Sequence, residues 1–160
     1  MFAIEPAVYA DVPALVSLLA QLFSIERDFA IDSRRQQRGL ELLIAQSPEH
    51  SVVMVARDDR RSAIAMASAQ LAISTAEGAP SAWIEDVVVA PEYRRKGIGR
   101  ALLQSLLDWA EAQGATRAQL LADQANEPAL EFYRRLGWTR TQFIALRRSG
   151  LRSERLVAPA

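Results

Sequence analysis

Between Trp83 and Leu107 the chain runs through a β-branched stretch, a pair of glycines flanked by cations, and a helical apolar stripe. Ile84, Val87, Val88 and Val89 read as a buried strand that Pro91 ends. From Ile98 the apolar residues recur at helical spacing, through Leu102, Leu106 and Trp109, with Leu103, Leu107 and Ala110 widening the stripe. Arg94-Arg95-Lys96-Gly97-Ile98-Gly99 joins the two. The glycines remove Cβ atoms where a helix N-terminus offers unpaired N–H groups, and three cations stand beside them. Free amides, the positive end of a helix dipole and basic side chains together predict a site for a phosphate or pyrophosphate. The plain alternative is a strand–helix junction whose glycines serve only turn geometry.

Two common phosphate binders fit poorly. A Walker loop needs Gly-Lys-Ser/Thr, but Gly99 is followed by Arg100-Ala101. A dinucleotide fingerprint needs Gly or Ala three positions past the second glycine, where Leu102 stands. Arg94-x-x-Gly97-x-Gly99 between strand and helix instead resembles the acyl-CoA motif R/Q-x-x-G-x-G/A of the GNAT superfamily of N-acetyltransferases. A second segment, N-E-P-A-L-E-F-Y-R-R-L-G-W from Asn126 to Trp138, is similar to the family pattern N-x-x-A-x-x-F-Y-x-x-x-G-F/W and follows at the expected distance.

The elements around these motifs read in order as strand, two helices, three strands, helix, strand, helix, strand, which is the GNAT order. Phe2–Glu5 is the first strand, and Asp11 is a plausible N-cap for a helix through Phe23. Ser33–Gln46 is a helix with Leu40, Leu43 and Ile44 inward and Arg34, Arg35 and Arg38 outward. Val52–Ala56 and an alanine-rich return strand, about Ser62–Ser74, flank a polar turn at Asp58–Arg61, and Thr75–Ser81 is a loop. Ala115–Ala122 forms a parallel strand. Asn126 caps a helix that Gly137 stops, and Trp138–Leu146 is a further strand. The resemblance implies an α/β acyl-CoA N-acyltransferase fold, a mixed sheet of six to seven strands with about four helices. The domain spans 1–148, and the tail 149–160 holds a last strand within Leu151–Val157 at most.

Length and composition agree with one domain: 160 residues, with 19 basic and 19 acidic side chains, favour neither nucleic acid nor membrane as partner. The sequence has no cysteine, which excludes a thiolate metal site and a Cys acyl-enzyme. His50, the one histidine, lies in a turn and reads as exposed, so no metal site is expected. The N-terminus lacks a signal-peptide pattern, and a cytoplasmic protein is the expectation.

The resemblance implies acetyl transfer from acetyl-CoA to a primary amine by direct attack in a ternary complex. It assigns to CoA the strand residues Val87, Val88 and Val89, the turn Arg94, Arg95, Lys96, Gly97, Ile98, Gly99 and Arg100, and Asn126 and Tyr133. The strands carrying Val87–Val89 and Leu120–Leu121 are expected to splay and pair with pantetheine. A backbone N–H near Val87 would serve the oxyanion. Tyr133 is the candidate acid for the leaving thiolate; packed in the core with a satisfied hydroxyl, it would be structural instead. Glu85 is the candidate base, and strand alternation puts it with Val87 and Val89 on one face and Asp86 with Val88 on the other. The I-E-D-V-V-V run looks like the polyamine and diamine branch, where Glu85 and Asp86 would contact a cationic amine; either could equally pair with an arginine. Glu26, with Asp28 and Phe29 beside it, could border the acceptor pocket or form a solvated acidic loop. A small-molecule amine is the expected partner, a homodimer is plausible, and a non-catalytic acyl-CoA sensor of the same fold is the alternative.

Overall fold

The computed structural model describes residues 1–25 and 30–149. Strand β1 (Ala3–Pro6) leads through a 3-10 turn (Tyr9–Asp11) into helices α1 (Val12–Phe23) and α2 (Ser33–Ala45). Strands β2 (Ser51–Arg57), β3 (Ala63–Ser74) and β4 (Ala79–Val89) follow as an antiparallel meander. Helix α3 (Ile98–Ala112) then crosses to β5 (Arg117–Leu120), parallel to β4, and α4 (Glu127–Arg135) completes the order. The sheet runs β1-β2-β3-β4-β5.

Helices cover both faces, so the central strands are apolar throughout rather than alternating. On one face Ile84, Ala67 and Ala69 pack with Leu102, Leu103 and Leu106 of α3. On the other, Val53, Val55, Met66 and Val88 pack with Leu15, Leu18 and Leu19 of α1 and Leu40 of α2. The alanine-rich β3 pairs with both β2 and β4, and its small side chains let α3 approach the sheet.

Several expected boundaries move. The loop expected over Thr75–Ser81 shrinks to a turn in which the Gly78 N–H donates to the Ser74 carbonyl, with Gly78 at φ +63°, so β4 starts at Ala79. Asp11 does not act as an α1 cap. Its own backbone is helical, and its carboxylate accepts instead from the Val8 N–H at 2.8 Å and from Arg57 Nη2 at 2.7 and 2.8 Å. A guanidinium is a stronger donor than the helix amides.

The strand expected over Trp138–Leu146 does not form among the described residues, and the described sheet has five strands rather than six to seven. The apolar residues are there, but a strand exists only by pairing, and no described segment pairs with this one. Phe143 and Leu146 are accordingly 94% and 88% exposed. The stretch Leu151–Val157 lies outside the described residues, as do Glu26, Asp28 and Phe29.

Candidate active site

Strands β4 and β5 pair only from Ser81 with Arg117 to Ile84 with Leu120. Beyond that point β5 ends, while β4 continues to Val89 with β3 alone as its neighbour. The sheet therefore opens on one side of Glu85–Val89, where the resemblance implies that the two strands splay. A cavity of about 90 Å³ lies in the opening, lined by Glu85, Asp86 and Val87 of β4, Leu120 at the end of β5 and Leu121, Ala122 and Asp123 after it, Asn126, Ala129 and Tyr133 at α4, and Leu22 and Ile25 at the end of α1. Helices α4 and α1 flank opposite faces of the sheet, so this slot joins the two faces. A larger cavity between the outer sides of α1 and α2, near Tyr9 and Glu41, holds none of these groups.

A β-bulge sits at the mouth of the slot. Met66 pairs with Val88 but Ser68 pairs with Glu85, so β4 carries one residue more than β3 there. Asp86 takes φ +57°, a left-handed conformation that Asp tolerates better than most residues. The bulge resets the alternation. Ile84, Val87 and Val89 face α3, whereas Val88 and Ala90 face α1 and α2. Glu85, opposite Ser68 on the α1/α2 side, thus does not share a face with Val87 and Val89, contrary to simple alternation.

The two acidic residues differ in setting. Glu85 is exposed, and its Oε2 accepts from Gln70 Nε2 at 3.3 Å. Asp86 is largely withdrawn from water, and its Oδ2 accepts from the buried Ser68 hydroxyl at 3.2 Å. Burial, and secondly the neighbouring Glu85 charge, push the Asp86 carboxyl up from 3.8 to about 6, against a smaller opposing effect of the Ser68 hydroxyl. Neither residue forms an ion pair among the described residues, so the arginine pairing weighed for them is absent there.

Tyr133 lines the slot, half-buried, with its ring against Phe132 at 5.3 Å and Trp138 at 6.1 Å. Asn126 caps α4 by accepting from the Ala129 N–H at 3.2 Å and also lines the slot.

The glycine turn follows β4. Arg95 and Gly97 have φ +60° and +82°, and Gly97 is the N-cap of α3 without any side-chain cap bond. The backbone N–H groups of residues 95–100 find no partner within the described protein. Uncapped amides in alternating conformation form the kind of nest that holds an anion, so this turn fits the pyrophosphate that an acyl-CoA would bring. The two glycines have different duties. Gly97 supplies the positive φ, whereas a Cβ on Gly99 would meet Phe132 Cζ at 3.3 Å, so Gly99 lets α4 close on α3. The Arg94 guanidinium turns back to the Val89 carbonyl at 2.9 Å, and the Lys96 ammonium lies 5.0 Å over the Tyr93 ring.

The family description "Acetyltransferase (GNAT) family" matches residues 17–138. The chain belongs to that family. It is 44% identical over 63 residues to the streptothricin acetyltransferase of Streptomyces lavendulae, a match covering 36% of this chain and 33% of that protein. It is 31% identical over 98 residues to the aminoglycoside N(6')-acetyltransferase type 1 of Acinetobacter baumannii, covering 59% of this chain and 67% of that one. The crystal structure of an aminoglycoside antibiotic 6'-N-acetyltransferase from Acinetobacter baumannii superposes with a TM-score of 0.76 at 25% identity, over 94% of this chain and 99% of that chain. The chain thus spans about a third of the streptothricin enzyme's length but nearly all of the superposed structure. The bulge, Ser68, Gln70, Leu22 and Ile25 escaped the motif reading. The one trace of the bulge in the sequence is a pair of acidic residues inside an otherwise apolar strand.

Among the described residues, no three metal-ligating side chains converge, and no helix is long and apolar enough to cross a membrane.

Proposed function

We propose that the chain is an acetyl-CoA-dependent N-acetyltransferase that acylates a primary amine on a small molecule. The observation that carries this reading is the slot itself, which brings Tyr133 from one face and Glu85 and Asp86 from the other to a single opening in the sheet. CoA would lie with its pyrophosphate on the amides of residues 95–100 and its pantetheine along the unpaired edge at Val87–Val89. Its thioester would then sit in the slot, and the amine would enter from the α1 side. Direct attack avoids a covalent enzyme intermediate, and orientation within the ternary complex supplies much of the rate.

The roles follow from the chemistry of the groups. An incoming ammonium must lose a proton before its nitrogen can attack. Asp86, whose carboxyl titrates near neutrality, is the better acceptor for that proton, and Glu85, exposed and held by Gln70, attracts the ammonium. The attack forms the N–C bond, the oxyanion takes a backbone N–H on the open edge of β4, and collapse expels the thiolate. Tyr133 donates its hydroxyl proton to sulfur, and the second proton that the nitrogen sheds as the amide forms restores the phenol.

The small-molecule preference draws support from relatives named for streptothricin and aminoglycosides. A panel of amines assayed by thiol release, with the Tyr133→Phe variant alongside, tests the reading. Turnover should fall about 10²–10³-fold in Tyr133→Phe while acetyl-CoA still raises Tm as in the unaltered protein. Full turnover in the variant would remove the tyrosine from the chemistry. Thermal stabilisation by acetyl-CoA with no amine acetylated would favour the acyl-CoA sensor instead.

A further inference from the structure

On the α1/α2 side, the sheet carries a row of side chains that the transfer chemistry does not use. Strand register sets Gln70 of β3 beside Trp83 of β4, and Trp83 beside Gln119 of β5. Alternation from Met66, which packs under α1, puts Ser68 and Gln70 on this same face, and Glu85 lies opposite Ser68. Adjacent strands are about 4.8 Å apart, so the row is about 10 Å wide, and Glu85 stands about 7 Å along β4 from Trp83.

The Trp83 indole is only half-buried, and no hydrogen bond or ring contact engages it among the described residues. A partly exposed aromatic ring on a sheet face, with its N–H unused, offers an apolar surface and a free donor to a ligand. The Gln70 amide already points to Glu85, joining the platform to the carboxylate at the slot.

Charge sorts the ligands this surface suits. Carboxylates without a described counter-ion lie at the slot end, at Glu85 and Asp86, whereas Glu77 at the far end is paired with Arg117. Away from it the row is neutral, and beyond Trp83 it ends at Ser81 and Arg117, whose guanidinium reaches Ser81 Oγ at 3.4 Å and Glu77 Oε1 at 3.4 Å. A linear polyamine would bring its second ammonium onto the neutral row, where no carboxylate is left without a cation. A molecule with one reacting ammonium and a neutral hydroxylated body matches both ends: the carboxamides donate to and accept from hydroxyls, and the indole stacks on the C–H face of a ring.

We infer that Gln70, Trp83 and Gln119 form an acceptor platform for a ring-bearing polyhydroxylated amine, that is, an amino sugar, with Trp83 setting specificity. This rests on the acetyl-transfer reading and narrows its acceptor, away from the diamines that the I-E-D-V-V-V run suggests.

Steady-state kinetics with glucosamine, 1,6-diaminohexane and an alanyl peptide, on unaltered, Trp83→Ala and Trp83→Phe protein, test the platform. Glucosamine should show the highest kcat/KM. Trp83→Ala should raise its KM about tenfold with little change in kcat, and Trp83→Phe should restore most of the loss. Acetyl-CoA stabilisation should be the same in all three proteins. Preference for the diamine or the peptide, or a glucosamine KM untouched by Trp83→Ala, overturns the platform. If acetyl-CoA binds and no amine is acetylated, the enzyme reading fails by itself. Calorimetric titration of glucosamine then decides the platform: heat lost in Trp83→Ala supports it, and absent or equal heat overturns it.

Discussion

At the β1–β2 end of the sheet, Asp11 and Arg57 are withdrawn from water to 10% and 11% side-chain exposure, and Glu5 adds a second carboxylate to the same guanidinium. At the β4 bulge, Asp86 is similarly withdrawn, yet Glu85 beside it adds like charge and no described cation answers either. The first cluster is neutralised internally, and the Arg57 guanidinium is held above its ordinary pKa by Asp11 and then Glu5. The second has no described counter-charge. A buried carboxylate already matched by arginine serves the fold, and one left unmatched in an opening of the sheet is available for chemistry.

Breaking the matched cluster should have the largest effect on stability. Asp11→Ala leaves Arg57 buried with only the half-exposed Glu5, and urea unfolding at pH 7 should show a loss of about 3 kcal/mol. Any activity that survives should keep its pH profile.

Asp86→Asn should do the reverse. Because the folded carboxyl titrates near 6 and the unfolded one near 3.8, the folded state holds the proton more tightly. That contribution is complete below about pH 4 and is lost as pH rises through about 6. At pH 7 the ionised group therefore destabilises the fold, and the asparagine, which also tolerates left-handed φ, should gain about 2–3 kcal/mol in urea. Activity should fall about 10²-fold, and the acid limb of kcat/KM against pH, centred near 6 in the unaltered protein, should disappear. A variant less stable than the parent, or one with an unchanged acid limb, would put Asp86 with the structural carboxylates.

Ser68→Ala should have the smallest effect. Its hydroxyl is the one group that lowers the Asp86 carboxyl, so its loss should move the acid limb to higher pH with a stability change of about 1 kcal/mol. An unmoved limb would disconnect Ser68 from the site.

Legibility in the sequence followed the range of the interactions. Helices α1 to α4 came from apolar spacing and local caps, and the glycine turn from Gly97, whose φ of +82° is a single-residue requirement. Glu85, Asp86 and Tyr133 were all candidates, because an acid pair in an apolar strand and a motif tyrosine are visible in one dimension. The different settings of the two carboxylates were not. It depends on one inserted residue in β4 relative to β3, and register is a property of two strands. Asp11 looked like a cap for the same reason: its real partner, Arg57, is 46 residues away. The strand expected at Trp138–Leu146 failed because propensity cannot supply a neighbour.

By itself, then, the sequence determined the order of elements, the glycine turn before α3 and the membership of an acetyltransferase family, since each is encoded in contiguous residues. The tertiary structure alone decided where the sheet opens, which carboxylate is withdrawn from water, and which side chains share a face with it. Those are outcomes of strand pairing and burial, and solvation sets the chemistry of a carboxyl group more strongly than its place in the chain does.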